Sequence, residues 1–144
     1  MAKLLTAIFL SLALVECGQN KQAVDKDKER IDKVCDKFME AFVHGNISNA
    51  LQLLRQNSLM SSSSIDTLET TINTQVNTVF SAYGKMLSSE FVTERNVKNF
   101  LAKRFYILTF DKYYLRFSFT LYNNGKGWTI TTFDYNEDLI EILN

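Results

Sequence analysis

The chain has no proline, a single histidine, two cysteines and five glycines among its 144 residues. Each scarcity closes a class of reading. Without proline there are no polyproline ligands and no proline-stiffened linkers. One histidine and two cysteines are too few for a zinc or other transition-metal centre of the usual His and Cys composition. The glycines form no phosphate-cradling loop, and the Gly-x-Ser-x-Gly elbow of serine hydrolases is absent. An excess of one charge is missing as well: 16 basic and 16 acidic residues leave a formal net charge of zero, without the basic patch that a phosphate backbone demands. No cofactor and no nucleic-acid partner are expected. No repeat of fixed period is present.

What the chain does have is apolar matter, 46% hydrophobic and 12% aromatic residues, enough for one domain of this length to bury a core without disulfide or metal staples. Part of it is set apart at the start. Residues 1–15, MAKLLTAIFLSLALV, join a positive Lys3 to an apolar run over 4–15. That run has the length of a signal-peptide h-region and is too short to span a bilayer. A core helix would carry a fuller polar face than Thr6 and Ser11 provide. We therefore read residues 1–18 as a signal peptide and expect an exported protein, periplasmic or secreted. Leu14-Val15-Glu16-Cys17-Gly18 resembles a bacterial lipobox, in which Cys17 would carry lipid and anchor the protein to a membrane. Glu16 stands where that box wants a small residue, which favours ordinary cleavage near Cys17 or Gly18. Membrane association is expected only with Cys17 lipidated. A retained, unmodified Cys17 would have Cys35 as a disulfide partner in an oxidising compartment; otherwise Cys35 is a lone core thiol, the reading we favour.

Residues 19–30 alternate in charge and read as a polar tether running into a helix start, and 31–144 as one domain. Ile31, Val34, Cys35, Phe38, Ala41 and Phe42 recur at helical spacing, with Gly45 placed as a C-terminal cap. Ile47, Ala50, Leu51 and Leu54 share the face of a short helix capped by Asn46 or Ser48. A serine-rich loop over 57–64 follows. Asp66 and Glu69 make a capping box for a long helix from Ile65 through Leu68, Ile72, Val76 and Phe80 to Tyr83, ended by Gly84. The period then changes to two. Phe91 and Val92 belong to a first strand, Phe105 and Ile107 to a second. Tyr113, Leu115, Phe117, Phe119 and Leu121 form the inner face of a third, against Tyr114, Arg116, Ser118, Thr120 and Tyr122 outside. Asn124-Gly125 signals a hairpin, Trp128 and Ile130 lead a fourth strand to Tyr135, and 136–144 is a short helix or trailing strand. Helices followed by an antiparallel meander make an α+β fold, with a curved sheet of about four strands wrapped on the long helix.

Local chemistry is sparse. Cys35 and His44 fall on opposite faces of one helix at about 3.6 residues per turn, so His44 reads as a helix-end residue near the last carbonyls. Asp25, Asp27 and Glu29 lack the Gly and terminal Glu of a calcium loop, and Asn46-Ile47-Ser48 matches a glycosylation sequon.

Phe38-Met39-Glu40-Ala41-Phe42-Val43-His44-Gly45-Asn46 followed by Ala50-Leu51-Gln52-Leu53-Leu54, and the ending Gly127-Trp128-Thr129-Ile130 with Phe133, resemble the NTF2-like (cystatin-like α+β) superfamily, closest to its small exported bacterial members. The resemblance implies a conical sheet that encloses a pocket. It implies no reaction, because that superfamily holds isomerases, dehydratases, adaptors and domains without known activity. Tyr83, Arg104, Tyr106, Tyr114 and Arg116 are the polar-tipped residues expected to line such a pocket and to orient a ligand over an apolar floor; the alternative is that the tyrosines are amphipathic sheet residues with wet hydroxyls. The expected role is a non-enzymatic small-ligand-binding or protein-interaction domain of the cell envelope. The alternatives are an isomerase- or hydratase-type enzyme using an Asp or Tyr in the cone, and a structural module that homodimerises through its sheet face.

Overall fold

The computed structural model describes the backbone of residues 16–144 and side-chain surroundings from residue 23. The expected export segment and the side chain of Cys17 lie outside the described residues.

The first helix, α1, runs Glu16–Val43, so the stretch over 19–30 lies within a helix. Its charges are arranged to support one. Lys28 reaches Asp32 at 2.6 Å and Lys33 reaches Glu29 at 2.7 Å, both one turn apart. The same stretch is tied to the sheet, since the Trp128 amide donates to the Asp27 carboxylate at 2.5 Å. Ile31, Val34, Cys35, Phe38, Met39 and Phe42 form the buried stripe. α1 ends as its sequence predicts. Gly45 takes a φ of +75°, its amide donates to the Phe42 carbonyl, and the Asn46 amide donates to the Ala41 carbonyl at 2.9 Å, the Schellman pairing of a left-handed cap.

Helix α2, Ile47–Asn57, buries Ile47, Ala50, Leu51 and Leu54. Beyond it Ser58 makes a parallel bridge to Ile130. Three expectations for the next segment are corrected. Helix α3 spans Ser62–Asn77 and is capped by Ser61, whose hydroxyl accepts from the Ser64 amide at 3.1 Å, so it begins inside the expected serine loop. Asp66 and Glu69 cap nothing; both accept from Arg55 of α2, at 2.6 and 3.1 Å. The helix is also broken. α3 stops before Thr78, and α4, Val79–Tyr83, restarts after it. Threonine hydroxyls at 67, 70, 71, 74 and 78 donate to the carbonyls four residues back, a pattern that bends and weakens a helix. α1 is therefore the longest helix.

Four strands follow: β1, Met86–Val97; β2, Leu101–Phe110; β3, Tyr114–Asn123; and β4, Trp128–Asn136. They form one antiparallel sheet in sequence order. Gly84 enters it with a φ of +88°, close enough to Asp111 that a Cβ would lie 2.8 Å from that side chain. The expected turn at Asn124-Gly125 has Gly125 at a φ of +86°. One sheet face carries Tyr106, Leu108, Leu115, Phe117, Phe119 and Leu121 into the core. α1 lies across that face, with the Phe38 ring edge-on to Phe119 at 5.2 Å and 4.8 Å from Phe133. The expected contrast between faces of β3 does not hold, because Arg116 and Ser118 are buried too. The final segment, ending in helix α5, Ile140–Leu143, reaches the outer face, where Glu141 accepts a hydrogen bond from Lys103 and lies within ion-pairing range of Arg116.

Strand β1 contains a bulge. Its register against β2 jumps between Phe91, opposite Tyr106, and Thr93, opposite Phe105. Residues three apart on a regular strand point to opposite faces. The extra residue, Val92, restores them to the same one, and Phe91 and Glu94 both face α1.

Candidate functional site

A cleft of about 470 Å³ opens between α1 and the start of the sheet. Asp36 and Glu40 of α1 and His44 just past its end reach it, spaced four residues apart so that they line up along one side of the helix. Ser88, Ser89 and Phe91 of β1 form the opposite wall, and Tyr106 of β2 lies at its floor. The centre of the α1–sheet interface beside it is solid, filled by Phe38, Phe42, Phe117 and Phe119 with no exposed surface.

The floor is held by a charge network. The Tyr106 hydroxyl donates to Asp36 Oδ1 at 2.5 Å. Arg104 Nε donates to the same hydroxyl oxygen at 3.0 Å, and Nη2 to Asp36 Oδ1 at 3.3 Å. Arg104 Nη1 reaches Glu94 at 3.1 Å and Asp32 at 3.5 Å, while Lys28 Nζ joins the same two carboxylates at 2.8 and 2.6 Å. The Arg104 guanidinium also lies over the Phe91 ring, 4.2 Å from its centroid, a placement that favours the cation. Two cations thus serve three carboxylates. The surplus negative charge falls to Asp36, whose side chain is 53% exposed, against 24% for Asp32 and 16% for Glu94.

Protonation follows from these contacts. Burial pushes the Tyr106 phenol up, and its bond to Asp36 adds to that, so it stays a proton donor at neutral pH. Burial works against the Arg104 charge, but the Tyr106 oxygen and the carboxylates of Asp32 and Glu94 outweigh it and hold the guanidinium charged. Burial raises the Cys35 thiol as well, which leaves it inert as a nucleophile. His44 Nδ1 lies 2.7 Å from the Glu40 carbonyl. A carbonyl only accepts, so that nitrogen carries the proton, in the helix-end position expected of it.

Glu94 makes the network sensitive to acid. Burial opposes its charge, yet Lys28 and then Arg104 overcome that and hold its pKa below the reference 4.5. A carboxyl lowered in the folded state stabilises fully above its unfolded pKa and loses that contribution as pH falls through the folded one. Urea unfolding should therefore show stability level from pH 7 to about pH 4.5 and declining below it. Glu94→Gln should flatten the acid limb; an unchanged slope would remove Glu94 from the account.

Of the five residues expected to share a pocket, only Tyr106 lines this cleft, with Arg104 behind it. Tyr83 stacks on Tyr113 at 4.5 Å and packs against Phe80 and Phe110. Tyr114 also stacks on Tyr113, at 5.4 Å, and Arg116 is buried on the outer face. Strand alternation separates them: Tyr106 and Arg104 share a face that Tyr114 and Arg116 do not. The residues missed were Asp36, Glu40 and Phe91. The i, i+4, i+8 spacing of Asp36, Glu40 and His44 was a usable signal, but Phe91 reaches the site through a bulge.

No protein-family model, curated protein or solved structure matches the chain. Among the described residues no helix is long and apolar enough to cross a membrane, and no three His, Cys, Asp or Glu side chains gather as a metal site.

Proposed function

We propose that this protein is an exported, non-enzymatic binding module of the cell envelope, built on an NTF2-like conical sheet, whose α1–sheet cleft takes a small ligand with a cationic group beside an apolar part. The observation that carries the reading is the half-exposed Asp36 carboxylate, held by Tyr106 and Arg104 at the cleft floor with more negative charge around it than positive. Glu40 adds a second carboxylate one turn on, and Phe91 and Leu87, about half exposed, offer apolar surface. Fixed polar groups around apolar walls suit orientation of a ligand.

Titration with benzylammonium, followed by amide NMR, should move signals of Asp36, Ser88, Phe91 and Tyr106, whereas benzoate should not. Asp36→Asn should weaken benzylammonium binding about tenfold, the loss of one charge-assisted contact. Equal response to both probes, or none to either, would retire the reading.

One observation supports an enzyme instead. The 2.5 Å contact from the Tyr106 hydroxyl to Asp36 places a proton donor and a carboxylate side by side on a cleft, the pairing that isomerase or hydratase chemistry uses. Turnover abolished by Tyr106→Phe with the fold intact would decide for it.

A further inference from the structure

The outer face of the sheet holds a second arrangement, separate from the α1 cleft. Arg116 on β3 has a side chain only 4% exposed. Its Nη2 lies 3.4 Å from Asp134 and its Nη1 3.5 Å from Glu141 Oε2, within ion-pairing range. Yet neither Nε nor Nη1 makes a hydrogen bond with any described residue. A buried guanidinium with two open donors is costly unless an acceptor completes it. Lys103 Nζ meets the same Glu141 oxygen at 2.5 Å. Both cations lie over one ring, Phe105, at 5.4 and 5.7 Å from its centroid. Beside this pair is a largely apolar cleft of about 390 Å³ lined by Val97, Leu101, Phe105 and Thr120, inside the range of small-ligand pockets, about 300–1,000 Å³.

The group that now sits on the two cations is poorly held. Glu141 belongs to α5, a four-residue helix with no buried residue, and its neighbours Ile140 and Leu143 are 59% and 77% exposed. So short a helix has little stability of its own. Were it to move aside, Lys103 would lose its Glu141 partner at the lining of the apolar cleft, and Arg116 would keep only Asp134.

We propose that this face is a binding site for a carboxylate that carries an alkyl chain, and that Glu141 occupies the carboxylate position until such a ligand displaces it. One ligand oxygen would answer Lys103 and the other the open Nη1 donor of Arg116, and its chain would cover Phe105, Val97 and Leu101.

Calorimetric titration of the full chain with decanoate tests this, with decanol and acetate as probes lacking the charge or the chain. Glu141→Gln should bind decanoate about tenfold tighter than the unaltered protein, since it removes the competing carboxylate. Adding Lys103→Gln to that variant should cancel the gain. Both positions are partly exposed, so the fold should survive, and circular dichroism checks it. Amide shifts should fall on 101–105 and 118–120 and leave Asp36 unmoved. Equal affinity with and without Glu141, decanol binding as well as decanoate, or shifts confined to the α1 cleft would each overturn the proposal.

Discussion

Phe38→Ala should lower the unfolding free energy by about 3–5 kcal/mol, the usual cost of deleting a fully buried aromatic ring. Phe38 has no exposed surface, and its ring touches those of Phe42, Phe119 and Phe133, so it joins α1 to two strands at once. Those neighbours are themselves packed ring on ring, and a dense aromatic cluster cannot relax far into the space left behind. Small domains are stable by about 5–15 kcal/mol, so the loss should be large in relation to the whole. Urea unfolding followed through the fluorescence of Trp128, the one tryptophan, measures it. Phe38→Leu, which keeps most of the apolar volume, should cost markedly less. A loss below about 1 kcal/mol for the alanine variant would mean that this junction does not hold helix to sheet.

Arg104→Met should cost about 2–3 kcal/mol, below the roughly 3–5 of a fully buried pair because its partners are partly wet. The methionine can pack where the alkyl stem and Phe91 now meet, so the loss isolates the charge. What remains is Asp32, Asp36 and Glu94 with only Lys28 among them, and a Tyr106 hydroxyl that has lost its donor. Adding Glu94→Gln should recover part of the loss, because it removes one of the repelling carboxylates; the double-mutant cycle should show coupling above about 0.5 kcal/mol. Simple additivity would show that Arg104 acts through packing alone. The same variant should weaken benzylammonium binding less than Asp36→Asn does, because Arg104 positions Asp36 and repels a cation.

Much of the fold was legible in the sequence. The stripe from Ile31 to Phe42, the left-handed cap at Gly45, the alternation in Leu115, Phe117, Phe119 and Leu121, and the Asn124-Gly125 turn all depend on neighbours a few residues away, and all appear in the structure. The errors were also local in origin. Asp66 and Glu69 have capping-box spacing, but Arg55 on another helix claims both, and Ser61 caps instead. The candidate site was read less well. Tyr106 and Arg104 were named, but they were grouped with Tyr114 and Arg116, which strand parity sends to the other face.

The sequence by itself determined the α+β class, the order of helices and strands, the buried faces of α1 and α2, and the core-facing residues of β3, because hydrophobic period and turn chemistry act over a single helical turn or strand repeat. Tertiary structure alone decided the rest. It made α1 the helix that covers the sheet, brought Asp36 within reach of Arg104 and Tyr106 some seventy positions later, and set Phe91 beside Glu94 through the bulge at Val92. It also buried Arg116 by bringing Glu141 and the final segment across the outer face. Contacts of that span depend on how whole elements pack and on which charge finds which partner, and no local period encodes either.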